Sequence, residues 1–363
     1  MNRSRRQFLQ YAALSGAIVT IPGCGWKLAD IQNQTPIATN SNELNLYTWT
    51  SYTDESLLKG FQAETGVQGR TEIMASNEEM IAAFEAGKGR EFSIICPSDY
   101  AVEQMQAKKY LQVLDDSRLE DLSTLLPNLA QVGVIDGKRY SVPLTWGTTG
   151  LIFNRKKLPQ GITDLADLWT NKDRLTRKMT LLDDPREVFG LALHQLGFSQ
   201  NTQDLGQIQQ AYGRLQALKP HLASFTTDAW RDPLVAGDIW VAMAYSTDAT
   251  DLLKENPDLQ YLIPPSGTNL WVDTMVIPVT APNPQLAYTW MNYVLNPDRA
   301  DDITKRLGYV PTTQASIDRL STELRQDKIR FPDQAVLAKC ETMKTVSEEA
   351  TALVEKLWTQ LKS

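Results

Sequence analysis

The chain has 363 residues, 42% of them hydrophobic, and a net charge of −7. That length and apolar content support two domains of ordinary size, and the acidic balance argues against nucleic-acid binding, which rests on neutralising phosphates. Two His and three Cys leave little material for a His-based zinc site, a Ser-His-Asp triad or a disulfide framework.

The chain opens with Ser4-Arg5-Arg6-Gln7-Phe8-Leu9-Gln10, then an apolar stretch from Tyr11 to Ile21, then Pro22-Gly23-Cys24. A basic start, a short apolar segment and a small-residue exit read as an export signal over residues 1–23, and the paired Arg points to the twin-arginine route. Ile21-Pro22-Gly23-Cys24 resembles the lipobox of bacterial lipoproteins, with an unusual Pro22, so Cys24 is read as a lipid anchor. The alternative is an ordinary cleavage site that lies near a Cys. Residues 24–43 are polar and read as a tether. The expected location is therefore periplasmic, and membrane contact is expected only through the anchor. Loss of Arg3, Arg5 and Arg6 leaves 33 basic residues against 43 acidic ones, a net charge of −10.

In the mature chain, Leu44 to Trp49 alternates as a strand. A helix is expected from Asp54 to Thr65, capped by Thr53 or Asp54 and stopped by Gly66. Val67 to Ile73 reads as a strand, and Ser76-Asn77-Glu78-Glu79 starts a helix with a capping box. Phe92 to Cys96 reads as a buried strand before a helix from Tyr100 to Ala107. The pattern restarts with a strand at Leu151 to Asn154, a short helix at Leu165 to Trp169 and a strand at Met179 to Leu182. Helices are expected at Val188 to Leu196, Gln207 to Leu218, Pro284 to Leu295 and Ser347 to Leu361. Strands are expected at Ile239 to Tyr245 and Trp271 to Pro278. Alternating strands and helices predict an α/β fold of two lobes, each with a mostly parallel central sheet flanked by helices. Lobe 1 is read as 44–146 plus 275–317 and lobe 2 as 147–274 plus 318–363, with a cleft at the hinge. Cys96, Cys340 and His194 read as buried core residues.

Ligands of open α/β sheets bind beyond the carboxyl ends of the strands. Those ends carry Trp49-Thr50-Ser51-Tyr52, Pro97-Ser98-Asp99-Tyr100, Asp183 to Glu187, Tyr245 to Asp248, Trp271-Val272-Asp273 and Gly308-Tyr309. Aromatic faces attract cations, with a desolvated contact contributing roughly 2 kcal/mol. A hydrogen bond from an ammonium to a carboxylate contributes about 1.5–3 kcal/mol. A linear polyamine uses both, and a few such anchors give affinity of about −8 kcal/mol, near micromolar. Each residue also has a structural alternative: core for the aromatics, helix caps for Asp184, Glu187 and Asp248. Asp99 is read as a cap and left out of the site. Asp273, on an apolar strand, is the acid least comfortable as pure structure.

With these landmarks and Val142-Pro143-Leu144-Thr145-Trp146-Gly147, the chain resembles the substrate-binding proteins of bacterial spermidine/putrescine ABC importers from about Leu44 onward. The resemblance implies the two-lobed periplasmic-binding-protein fold, a polyamine ligand, a permease partner, a monomer and no cofactor, metal or catalysis. By motif position, Trp49, Thr50, Tyr52, Ser98, Tyr100 and Tyr309 would line lobe 1. Asp184 and Glu187 would hold amines from lobe 2, and Trp271 and Asp273 would complete the box. Tyr245 stands where the family usually has Trp. Asp248 resembles the putrescine-preferring branch and Asp184 the spermidine-preferring branch. Ser51 replaces a frequent acid, and a Gln of the spermidine branch is absent near Glu341 to Met343. The alternatives are a same-fold carrier of ferric iron or another small amine, and an exported glycoside hydrolase using Asp184 and Asp273.

Overall fold

The computed structural model describes residues 42–50, 52–74 and 76–363. The expected leader, Cys24, most of the tether and Ser51 lie outside the described residues. Strand β1 (Glu43–Thr48) runs parallel to β2 (Gln68–Ile73) and β3 (Ile94–Ile95). The helices between them start where side chains satisfy their free N–H groups. Asp54 Oδ1 accepts from Leu57 N at 2.7 Å to open α1 (Glu55–Thr65), and Gly66 closes it at φ 73°. Ser76 Oγ accepts from Glu79 N at 3.0 Å to open α2 (Asn77–Glu85). The third helix, α3 (Asp99–Ala107), corrects the expected cap: Ser98 holds the N-cap position, and Asp99 lies in the first turn and accepts from Tyr100 N.

A short hairpin, β4 (Val134–Ile135) and β5 (Lys138–Arg139), leads into β6 (Ser141–Asn154), in which all 14 residues are buried. There follow β7 (Met179–Leu181), α4 (Pro185–Gln195), α5 (Leu205–Leu218), β8 (Leu222–Phe225), β9 (Val241–Tyr245), α6 (Ser246–Glu255), β10 (Leu259–Leu262), β11 (Leu270–Val276), α7 (Pro284–Leu295) and, at the end, α8 (Glu348–Lys362). Apart from the β4–β5 hairpin, the strands form one sheet in the order β2-β1-β3-β11-β6-β9-β7-β8, with β10 also on β6. Pairing is parallel at both ends, among β1 to β3 and among β7 to β9, and antiparallel where β11 and β6 cross the middle.

Two large apolar cores lie on either side of this crossing. One joins Leu46, Phe61, Met80, Ile94, Met105, Val276 and Trp290; the other joins Phe153, Leu181, Phe189, Ile208, Leu215 and Leu357. Truncating a fully buried Phe such as Phe61 or Phe153 to Ala costs about 3–5 kcal/mol. A small cluster of Leu129, Trp146, Leu270, Val272 and Val310 sits at the crossing itself. Of the segment 318–363, α8 packs in the second large core, whereas Leu320 and Leu324 pack against Ala300. His194 is buried as expected. Cys96 and Cys340 are free thiols, but only Cys96 is fully buried; Cys340 is half-buried and packs against the cluster at the crossing. Among the described residues no helix is long and apolar enough to cross a membrane.

Candidate functional site

The crossing strands build the first half of the site. The β11–β6 register slips between Asp273 and Thr274, leaving Leu144 of β6 unpaired beside Pro143, which has no N–H to offer. Such a bulge re-aims the neighbouring side chain. Asp273 also makes an isolated bridge with Ser98, and Thr274 N donates to Pro97 O at 2.9 Å. The Asp273 carboxylate thereby meets two hydroxyls: Tyr52 Oη donates to Oδ2 at 2.5 Å and Ser98 Oγ to Oδ1 at 2.7 Å. Asp273 is only 8% exposed. Burial pushes its pKa up to about 6, and the two hydroxyls pull it back.

Around this anchor the first half is tightly tied. Tyr309 Oη donates to Tyr52 O at 2.6 Å, and the two rings meet edge-on at 5.3 Å. Asn77 Oδ1 accepts from Ser98 N, while its Nδ2 donates to Ser98 Oγ and Tyr100 Oη. Ser98 occupies a helix N-cap without using its side chain as a cap, because its Oγ serves Asp273 instead. Trp49 is half-buried and Thr50 is exposed.

The second half grows from the start of α4. Asp184 is the N-cap, accepting from Glu187 N at 3.0 Å through Oδ1, and Pro185 takes the first helical position. Glu187 is 4% exposed, and its Oε1 accepts from Asn269 Nδ2 at 2.8 Å. Asn269 Oδ1 in turn accepts from Gln200 Nε2 at 3.2 Å. Burial and the Asp184 charge push Glu187 up to about 8, with Asn269 pulling down. Burial also raises Asp184, and the charge of Glu78 from the opposite core adds to the rise.

Tyr245 joins the halves. Its ring meets Trp271 edge-on at 6.1 Å. Burial lifts its phenol far above the usual range, and the charges of Glu187, Asp184, Asp248 and Asp273 all add to the lift. The charges of Asp184 at the N-cap of α4, Glu187 on α4 and Asp273 on β11 thus all act on the Tyr245 phenol. Asp248 differs from its sequence expectation. Tyr245 holds the N-cap position of α6, and Asp248 lies in the first turn. Its carboxylate is engaged by Arg231 Nη2 at 3.0 Å. Arg186 crosses between the cores, with its guanidinium 5.7 Å from the Tyr100 ring and its Nη2 donating to Lys344 O.

Sequence reading missed Asn77, Asn269, Arg186 and Arg231 as parts of the site. Asn77 lay in plain view inside a capping box, and Asn269 lies two residues before Trp271. The others carry no local signal. Gly147 of β6 is required by packing: a Cβ there would lie 2.3 Å from Trp271 Cζ2 and 2.5 Å from Ser246 Oγ. Gly147→Ala must displace the Trp271 indole and is expected to cost about 1–3 kcal/mol, read as a lower melting temperature.

A sequence profile described as bacterial extracellular solute-binding protein matches residues 56–332. The chain belongs to this family. It is 32% identical over 360 residues to a spermidine/putrescine-binding periplasmic protein 1 of Haemophilus influenzae, covering 99% of both chains. It is 31% identical over 337 residues to a putrescine/cadaverine-binding protein of Pseudomonas aeruginosa, covering 90% of this chain and 95% of the relative. Among solved structures, a putative spermidine/putrescine ABC transporter from Listeria monocytogenes superposes with a TM-score of 0.82 at 33% identity, over 88% of this chain and 99% of that one. The chain thus has the fold of a solute-binding protein.

Proposed function

We propose that this chain is the substrate-binding component of an ABC importer, capturing spermidine or putrescine outside the cytoplasmic membrane and handing it to the permease without catalysis. One observation carries the reading. Asp273, Glu187 and Asp184 converge on Tyr245, and their hydrogen-bond donors are hydroxyls, a side-chain amide and a backbone N–H, none of them cationic. Arg186 offsets the Asp184–Glu187 charge only in part, since both acids stay raised, and buried carboxylates short of a cation are costly and invite one. A polyamine supplies ammonium groups at the spacing of short alkyl chains, and the faces of Trp271 and Tyr245 suit those chains. The printed names of the relatives point to the same ligand class.

The two large cores are the centres of two lobes, 44–146 plus 275–317 and 147–274 plus 318–363, and within the last segment Leu320 and Leu324 reach Ala300 of the first lobe. The lobes close about β6 and β11, and the ligand favours closure through its higher affinity for the closed form. The protein acts as a monomer, held to the membrane by acylated Cys24. Titration calorimetry of the mature protein is expected to give near-micromolar binding of spermidine or putrescine, falling as salt rises. Arginine and ferric citrate serve as controls. Binding that is flat in salt, or seen only with ferric citrate, refutes the reading.

A further inference from the structure

We infer that Gln200, acting through Asn269, is a positioning residue of the ligand site: it holds a hydrogen-bond donor on Glu187 and so keeps that acid ready for an ammonium group. The inference rests on the polyamine reading above. Glu187, Asn269 and Gln200 form a line of side chains, all buried. Asn269 Nδ2 donates to Glu187 Oε1 at 2.8 Å, and Asn269 Oδ1 accepts from Gln200 Nε2 at 3.2 Å. The line ends on main chain, where Gln200 Nε2 also donates to Glu341 O at 2.6 Å.

That far end sets the sense of the whole line, because a carbonyl oxygen can only accept. Glu341 O is held in place: it also accepts from Leu270 N at 2.8 Å, while Glu341 N donates to Thr268 O at 3.0 Å. The loop that carries Gln200 is tied to the same residue, with Ser199 Oγ and Gln200 N donating to Glu341 Oε2 at 2.7 and 3.1 Å. The Gln200 amide must therefore turn its NH2 group to Glu341 O, which leaves its Oε1 buried without a partner. Facing that NH2 group, Asn269 must offer its oxygen to Gln200 and its own NH2 group to Glu187. The Asn269 main chain is fixed as well, its carbonyl accepting from Thr149 N at 3.0 Å. Turned around, the Asn269 amide would set an oxygen against Glu187. A donor there favours the ionised acid, whereas an acceptor favours the protonated one, which has no charge to pair with an ammonium. Glu187 is also faced by Asp184 and Arg186 of its own helix, by the Thr149 hydroxyl of β6, and by the phenols of Tyr245 on β9 and Tyr261 on β10. His194, beside Gln200, is held below its ordinary range by burial and stays neutral from pH 7 upward.

Gln200→Met keeps the bulk of the side chain and removes its donor. It is expected to lower putrescine affinity about 10-fold at pH 7 and to move the pH at which affinity levels off upward by about one unit, so that at pH 9 the variant comes within about 3-fold of wild type. Asp99, Asp184 and Asp273 titrate alike in both proteins and cancel in the comparison. Asn269→Leu is expected to shift the profile the same way by at least as much, and the double variant to match Asn269→Leu alone, because Gln200 acts through Asn269. Calorimetry with putrescine at pH 7, 8 and 9 on the four proteins reads the cycle, and thermal melts report folding. An equal loss at every pH, which is what damage to packing gives, overturns the inference. So do additive losses in the double variant, or a folded Gln200→Met within about 2-fold of wild type at pH 7. If Gln200→Met does not fold, Asn269→Leu decides: an upward shift of its profile supports the inference and an unmoved profile overturns it. Failure of the wild type to bind putrescine or spermidine sinks the parent reading as well, whereas wild-type binding with profiles that superpose on those of the variants sinks only this one.

Discussion

Replacing Asp273 by Asn will weaken polyamine binding by at least about 100-fold, while Asp99→Asn will change it by less than about 3-fold. Removing one partner of a buried, hydrogen-bonded charge pair costs about 2–5 kcal/mol, and about 3 kcal/mol is already more than two decades in affinity. With its pKa pushed up to about 6, Asp273 is mostly ionised at pH 7 and offers a full negative charge. Asn removes that charge and brings a new N–H donor against either Tyr52 Oη or Ser98 Oγ, each of which donates to the acid now. The amide is therefore left with a mispaired donor as well as an unpaired ammonium. Asp99 sits on the same wall but in a different state. Burial pushes its carboxyl up to about 8, so at pH 7 it is largely uncharged and nearly isosteric with Asn. Its oxygen Oδ1 accepts only from its neighbour's backbone, Tyr100 N. Calorimetry at pH 7 on both variants, beside ligand-free melts, separates the two acids. Equal losses would mean that Asp273 is not the anchor.

Asp273 was legible in the sequence because an acid on an otherwise apolar strand needs a partner. What no local pattern holds is the identity of that partner: Tyr52 and Ser98 lie 221 and 175 residues away along the chain. Helix starts were legible for the opposite reason. Asp54 and Ser76 cap N–H groups three residues on, and that signal is local. The same local rule misplaced the cap of α3, because the oxygen of Ser98 is committed to Asp273 across the cleft. For Asp184 the two candidate roles were compatible: one oxygen caps α4 while the charge faces Tyr245. Most of β6 escaped notice because a strand buried on both faces has no alternation to read, and Pro143 and two glycines interrupt it. The Arg231–Asp248 pair escaped because the whole of β9 separates its members.

Glu187→Gln will stabilise the ligand-free protein at pH 8 and abolish most of its polyamine binding. In the folded chain Glu187 keeps its proton up to about pH 8, against an ordinary value of 4.5. Between those values the folded state binds more protons than the unfolded state, so this group makes stability fall as pH rises. Gln stays neutral at every pH, and its Oε1 still accepts from Asn269 Nδ2. The advantage of the variant over wild type is therefore expected to grow by about 3–4 kcal/mol from pH 5 to pH 8. A stability gap equal at both pH values would contradict a buried, proton-holding Glu187. Binding runs the other way. An ammonium beside Glu187 favours the ionised carboxylate, so binding at pH 7 releases protons, and calorimetry in buffers of different ionisation heat reads that release directly. With Gln in place the release shrinks and affinity at pH 8 falls by about 100-fold. The acid that weakens the empty protein is the one that makes a cationic guest worth holding, the usual exchange of stability for function at a binding site.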